Sequence, residues 1–215
     1  MVKFIDNELL SIKKEILDMW DLVYNQLSRA NQAMTTMNTD IANKIMVQEK
    51  LVNSYDLKID SLIEDFIALY TPVAVDLRFV LAMLNINNNL ERIGDYAESI
   101  ARFVIRRNRE TIERPLLEAL RLDEMFEHVL FMVETAKRAM KEENIELANV
   151  VLEEDNLLDE INADALRFLV DYAEQHPDKM RLCLELNGVF RKLERTGDHI
   201  NNTMELSLIH ISEPT

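Results

Sequence analysis

Glu91-Arg92-Ile93-Gly94-Asp95 and Glu194-Arg195-Thr196-Gly197-Asp198 are one string written twice, 103 positions apart, with four of five residues identical. In each copy Glu and Asp stand four apart, so on a helix they stack on one face and repel unless a cation or a basic side chain lies between them. The glycine carries separate information. Inside a helix it costs about 0.5–1 kcal/mol relative to alanine. A cost repeated at an equivalent position means that something approaches the backbone there, either another helix or a bound ion.

Outward from these strings, apolar residues recur at helical spacing. A first helix, about Phe4 to Met37, puts Ile5, Leu9, Ile12, Ile16, Met19, Val23, Leu27, Ala30 and Met34 on one stripe. A second, about Asp40 to Tyr70, carries Ile41, Ile45, Val52, Tyr55, Ile59, Leu62 and Phe66. Pro72 sits where a third helix can begin without losing a hydrogen bond, and that helix runs to about Asn108. Pro115 and Pro177 mark the starts of the fourth and sixth helices in the same way. A shift of 106 carries Ile16, Trp20, Val23 and Leu27 onto Leu122, Phe126, Val129 and Val133, and repeats the polar break Gln48 as Glu154. Beyond the second helix the shift becomes 103, because the second half has the shorter turn. The expected fold is all-α, two tandem three-helix bundles of six long antiparallel helices, with the units at 1–109 and 110–205.

Composition agrees. The chain of 215 residues is 48% hydrophobic and 29% charged, with three glycines and four prolines. So few chain breakers favour long helices over sheets with tight turns. A net charge of −15 repels phosphate backbones, so nucleic-acid binding is excluded and cations or basic protein surfaces are the natural partners. One cysteine, Cys183, permits no internal disulfide. No apolar run reaches a membrane span or a signal-peptide core, which places the chain in the cytoplasm.

The middle helices add acids one residue past the polar break. Glu49 corresponds to Asp155, and four residues on stand Asn53 and Asp159. If middle and third helices face each other there, one bundle gathers Glu49, Glu91 and Asp95, with Asn53 as a neutral oxygen donor. The other gathers Asp155, Asp159, Glu194 and Asp198. Carboxylates projecting from facing helices are how bundles hold metals, and this oxygen-rich set suits Mg, Mn or Fe. The plainer reading stands beside it: Glu and Asp four apart are common on solvated helices, with Arg92 and Arg195 in surface ion pairs of little worth. His199 follows Asp198 and does not share its face.

At these residues the chain resembles the PhoU family of phosphate-signalling proteins. The likeness covers nearly the whole chain and includes Thr71-Pro72-Val73-Ala74-Val75-Asp76-Leu77-Arg78. It implies a non-catalytic negative regulator of phosphate uptake and of the starvation response. Such a protein acts between the ATPase of the phosphate ABC transporter and a sensor histidine kinase, at the inner face of the membrane. A homodimer is expected too. The resemblance also implies iron or zinc clusters on Glu91 with Asp95, Glu194 with Asp198, and Asp155 with Asp159; the departure at Asn53 weakens the first bundle. Two other readings remain, a carboxylate-bridged metal enzyme and a purely structural scaffold. The enzyme reading lacks the Glu-x-x-His pattern of di-iron bundles.

Four further expectations concern single features. Trp20 and Phe126 are matched core residues, and Cys183, aligned with Val80, is a buried apolar residue. Arg102, Arg106, Arg107 and Arg109 complement the dipole at the end of the third helix or face a partner or lipid. Leu206 to Thr215 read as a non-native tail, so that His210 and Pro214 carry no functional weight.

Overall fold

The computed structural model describes residues 2–108 and 110–212, with side chains from 5 to 207 apart from residue 109. Arg109, Pro214 and the side chain of His210 lie outside them. Among the described residues seven α-helices follow in order: α1 (Val2–Thr36), α2 (Thr39–Tyr70), α3 (Ala74–Arg107), α4 (Arg114–Ala119), α5 (Leu122–Glu142), α6 (Ile145–Gln175) and α7 (Met180–Ser212). There is no strand among the described residues. α1–α3 form one bundle and α5–α7 the other. The bundles join along two seams, α1 against α5 and α3 against α7.

Turn chemistry sets the boundaries. Asn38 caps α2 by accepting from the backbone N–H groups of Asp40 and Ile41, and Asn144 caps α6 by accepting from Leu147 N–H. Thr71 ends α2 at φ 47, in the left-handed conformation usual just past a helix end. Pro72 falls in the linker, so α3 starts at Ala74, two residues later than the proline alone implies. Pro177 opens a 3-10 turn, Pro177–Lys179, that leads into α7.

The largest departure from the six-helix expectation is the fourth helix, which is broken. Arg121 adopts φ 57 and turns α4 away from the axis of α5. A left-handed residue other than glycine costs about 1–2 kcal/mol. Two gains oppose that cost. The bend lets Leu116, Leu117, Leu120 and Leu122 all bury, and the Arg121 guanidinium reaches Glu124 at 2.7 Å and Glu160 at 3.4 Å.

The predicted stripes are the core. Ile12, Ile16, Met19, Val23, Leu27, Ala30 and Met34 are at most 2% exposed, whereas Ile5 and Leu9 pack only partly. On α2, Ile45, Val52, Ile59 and Phe66 bury fully, while Ile41, Tyr55 and Leu62 are partly covered. Trp20, Phe126 and Cys183 are buried as expected. The Trp20 indole N–H donates to the Val133 carbonyl of α5 at 2.9 Å, so a core residue of one bundle is tied to the other. α7 continues as helix through Leu206 and Ser207 to Ser212, and Ser207, buried, donates to Thr203 O at 2.9 Å.

Candidate functional site

The repeated glycines meet the middle helices. A Cβ on Gly94 would stand 3.1 Å from Val52, 3.2 Å from Gln26 Oε1 and 3.2 Å from Glu49 Oε2. A Cβ on Gly197 would stand 2.6 Å from Leu158, 3.0 Å from Asp155 Oδ1 and 3.7 Å from Met132. These are the same three neighbours in both bundles, because Val52, Gln26 and Glu49 match Leu158, Met132 and Asp155 at the shift of 106. Of the two causes left open for the glycines, close helix packing is the one seen. It also presses each middle-helix acid against the motif.

Desolvation shapes the acids. Glu49 is 3% exposed, accepts from Gln26 Nε2 at 2.9 Å, and leaves Oε1 buried without a partner. Burial, then the charges of Asp95, Glu98 and Glu91, push its carboxyl up to about 7 despite the Gln26 bond. Glu91 is raised by burial and by Asp95, with Arg92 opposing. In the second bundle burial, Asp159 and Asp198 raise Asp155, against a hydrogen bond from Asn201. Glu194 is raised by burial, Asp198 and Asp159.

All seven predicted ligands therefore gather in their two bundles: Glu49, Glu91 and Asp95 in one, Asp155, Asp159, Glu194 and Asp198 in the other. They do not close a coordination shell. Among the described residues no three His, Cys, Asp or Glu side chains are arranged to hold a metal ion. The donor set is still of oxygen-preferring chemistry, and the orphaned Glu49 oxygen and mutual repulsion are features a cation would relieve. The surface-pair reading holds for Arg92, which is well exposed and lies 3.2 Å from Asp95 and 3.5 Å from Glu91. His199 is engaged elsewhere: its Nδ1 is 2.8 Å from Asn89 Oδ1 and its Nε2 is 3.2 Å from Tyr96 Oη, across the α3–α7 seam.

Sequence reasoning missed Glu98. At the shift of 103 it matches Asn201, just as Asn53 matches Asp159 at 106. The acid absent from α2 is thus replaced by one on α3, and each bundle keeps four carboxylates and one amide. Also missed were Asp56 and Asp60, to whose carboxylates the buried Asn87 donates at 2.8 and 2.9 Å; Asn87 corresponds to Phe190, so this cluster belongs to the first bundle alone.

The two glycines make unequal predictions. Gly197→Ala is expected to destabilise the protein by about 1–2 kcal/mol, since its methyl overlaps the fully buried Leu158. In Gly94→Ala the closest approach is milder, and helix propensity offsets most of the strain. Urea unfolding of both variants measures this; equal losses would remove the close-packing account.

A family model described as the PhoU domain matches residues 16–104 and again 122–207. Over 200 residues the chain is 30% identical to the phosphate-specific transport system accessory protein PhoU homolog 1 of Thermotoga maritima, covering 93% of this chain and 85% of the relative. It is 30% identical over 206 residues to the phosphate-specific transport system accessory protein PhoU of Escherichia coli, covering 95% and 83%. The crystal structure of PhoU from Pseudomonas aeruginosa superposes with a TM-score of 0.90 at 28% identity, over 96% of this chain and 98% of that one. The phosphate transport system regulatory protein PhoU from Streptococcus pneumoniae gives 0.85 at 21% identity over 96% of both chains, which speaks to the fold alone. Each matched segment contains the middle-helix acids of its cradle and one copy of the Glu-Arg-x-Gly-Asp string, so the likeness falls on the duplicated unit and its site. The chain belongs to the PhoU family.

Proposed function

We propose that this protein is a non-catalytic accessory regulator of phosphate transport, lowering uptake and repressing the starvation response. It is an adaptor in the cytoplasm, held at the inner face of the membrane by its partners, the transporter ATPase and a sensor histidine kinase. No described helix is long and apolar enough to cross a membrane, which fits attachment through partners. The observation that carries the docking role is the doubled acidic cradle. Each bundle keeps four carboxylates, the buried Glu49 among them in the first, and burial together with neighbouring acids raises Glu49 and Glu194.

A cradle of that kind has two uses that reinforce each other. A divalent cation (Mg, Mn, Fe or Zn) held by Glu49, Glu91 and Asp95 in one bundle and by Asp155, Asp159, Glu194 and Asp198 in the other supplies positive charge that relieves the repulsion. The negative charge that the cation leaves uncompensated then faces a basic surface of the partner, where charge complementarity sets association rate and specificity.

Binding of the purified chain to the cognate transporter ATPase tests this, with and without Mn. The Asp95→Asn/Asp198→Asn double variant is expected to bind the ATPase roughly tenfold more weakly, with unchanged helicity and with reduced metal content after chelator-free purification. Unchanged ATPase affinity together with negligible metal would leave a scaffold whose repeated motif only packs helices. Sedimentation of the same preparations checks the expected homodimer.

A further inference from the structure

Six cations stand where the end of α3 meets the first half of α7, in a chain whose net charge is −15. Arg106 and Arg107 come from α3; Arg181, Arg191, Lys192 and Arg195 come from α7. Helix dipoles do not explain them together. Arg106 and Arg107 complement the negative end of α3, but Arg181 stands in the first turn of α7, where the dipole is positive and a cation is disfavoured.

Ion pairing accounts for only part of the group. Arg107 lies 2.9 Å from Glu110 and 3.7 Å from Glu185, and Arg181 lies 3.2 Å from Glu185. Arg106, Arg191 and Arg195 make no ion pair within 4.0 Å among the described residues. Arg191 and Arg195 act on Glu194 only at longer range. Lys192 is half-buried, and its ammonium donates to a backbone carbonyl, Gly188 O at 3.1 Å. That leaves two of its three hydrogens for something else. Arg106, Arg191 and Arg195 all lie near enough for their charges to act on the ammonium. Gly188 is the glycine outside the repeated motif, and its Cβ would stand 3.8 Å from Lys192 Nζ, so the lysine lies against bare helix backbone.

Arg106, Arg107 and Arg181 line a cleft of about 320 Å³ together with Glu110 and Glu185, and Lys192 lies beside Arg106, within reach of its charge, outside that lining. A further donor is unused there: Arg107 Nε is buried and has no acceptor. Mutually repelling cations, one of them half-buried, together with a buried donor lacking an acceptor, are stabilised by a bound anion with several acceptor oxygens.

We infer that this end of the α3–α7 seam is an oxyanion site that takes a phosphate group, free or on a lipid headgroup, between Lys192 and Arg106. Guanidinium forks match tetrahedral oxyanions and the ammonium supplies a compact charge. The site is separate from the acidic cradle and does not depend on its docking role.

Calorimetric titration of inorganic phosphate into the full chain tests the proposal, in low-salt chloride buffer with chelator so that no cation held by the carboxylates can recruit the anion. Wild type and Asp198→Asn are expected to bind phosphate alike. Lys192→Gln and Arg106→Gln are expected to bind roughly tenfold more weakly, while the charge-preserving Lys192→Arg stays within about threefold of wild type. In a parallel arm, the same proteins are sedimented with vesicles of phosphatidylcholine alone or with added phosphatidylglycerol. Phosphate binding identifies the free ion; failure to bind it, with Lys192-dependent attachment to the anionic vesicles, identifies the headgroup. Circular dichroism checks that each variant is folded. Absence of both interactions in folded wild type would overturn the site, as would affinities unchanged by Lys192→Gln and Arg106→Gln.

Discussion

Truncating Phe126 to alanine is expected to cost about 3–5 kcal/mol, and Trp20, in the other bundle, is expected to report the whole loss. Both residues are fully buried at matched positions of α1 and α5. The chain holds one tryptophan, so its fluorescence reads one known place. Were the bundles independent, a cavity beside α5 would leave the fluorescence transition near Trp20 unmoved while lowering only part of the helical signal. The seam argues otherwise. The Trp20 indole donates to Val133 O at 2.9 Å, Lys137 of α5 pairs with Asp21 of α1, and Lys13 lies 2.7 Å from Glu143. The exposed ends of those ion pairs add little stability; the buried hydrogen bond and the packed α1–α5 face matter more. The urea midpoints by fluorescence and by far-UV circular dichroism should therefore fall together in Phe126→Ala, as a two-state transition requires. Separate midpoints would show that the bundles unfold one at a time.

How far the sequence discloses this arrangement depends on which signals survive duplication. The apolar stripes are legible because burial imposes the same period on both halves, and the glycines because a repeated local cost needs a common cause. Gathering of Glu49 with Glu91 and Asp95 is legible only on the condition that the middle and third helices face each other there, and the approach of Glu49 to Gly94 is what meets it. The break at Arg121 is silent for a physical reason. Leu116, Leu117, Leu120 and Leu122 keep an apolar spacing compatible with a continuous helix, and the left-handed residue between them is neither glycine nor asparagine. Glu98 is hidden differently. It forms an ordinary ion pair with Arg102, four residues on, at 2.8 Å, and its counterpart Asn201 is not an acid. Comparing the halves for identity discards such a position, although exchange of acid and amide between helices keeps four carboxylates in each bundle's cradle. The contact of Tyr96 with His199 is likewise invisible, because it joins two equivalent positions from opposite bundles, and no pattern within one helix encodes the seam.

Neutralising Glu49 as Glu49→Gln is expected to make the protein more stable at pH 8, by as much as roughly 3 kcal/mol, and to flatten its pH dependence. The sign follows from proton binding. Glu49 is raised from 4.5 to about 7 in the folded chain, so between those values the folded state holds more of its proton than the unfolded state does. Stability at this position is then greatest below pH 4.5 and falls as pH rises through about 7. Glutamine keeps the shape and retains an acceptor for Gln26 Nε2, so removal of the charge is the main change. Part of the slope survives in the variant, because Glu91, Asp155 and Glu194 are shifted in the same direction by the same causes. Urea midpoints at several pH values between 5 and 8 give the comparison directly. Adding Mn at pH 8 separates the two roles of the carboxylate. If Glu49 helps to hold a cation, the metal raises the wild-type midpoint more than that of Glu49→Gln, and the advantage of the variant shrinks or reverses. Parallel pH curves for the two proteins would mean that Glu49 is no more costly to ionise in the folded chain than in the unfolded one. The desolvated cradle would then lose its main energetic signature.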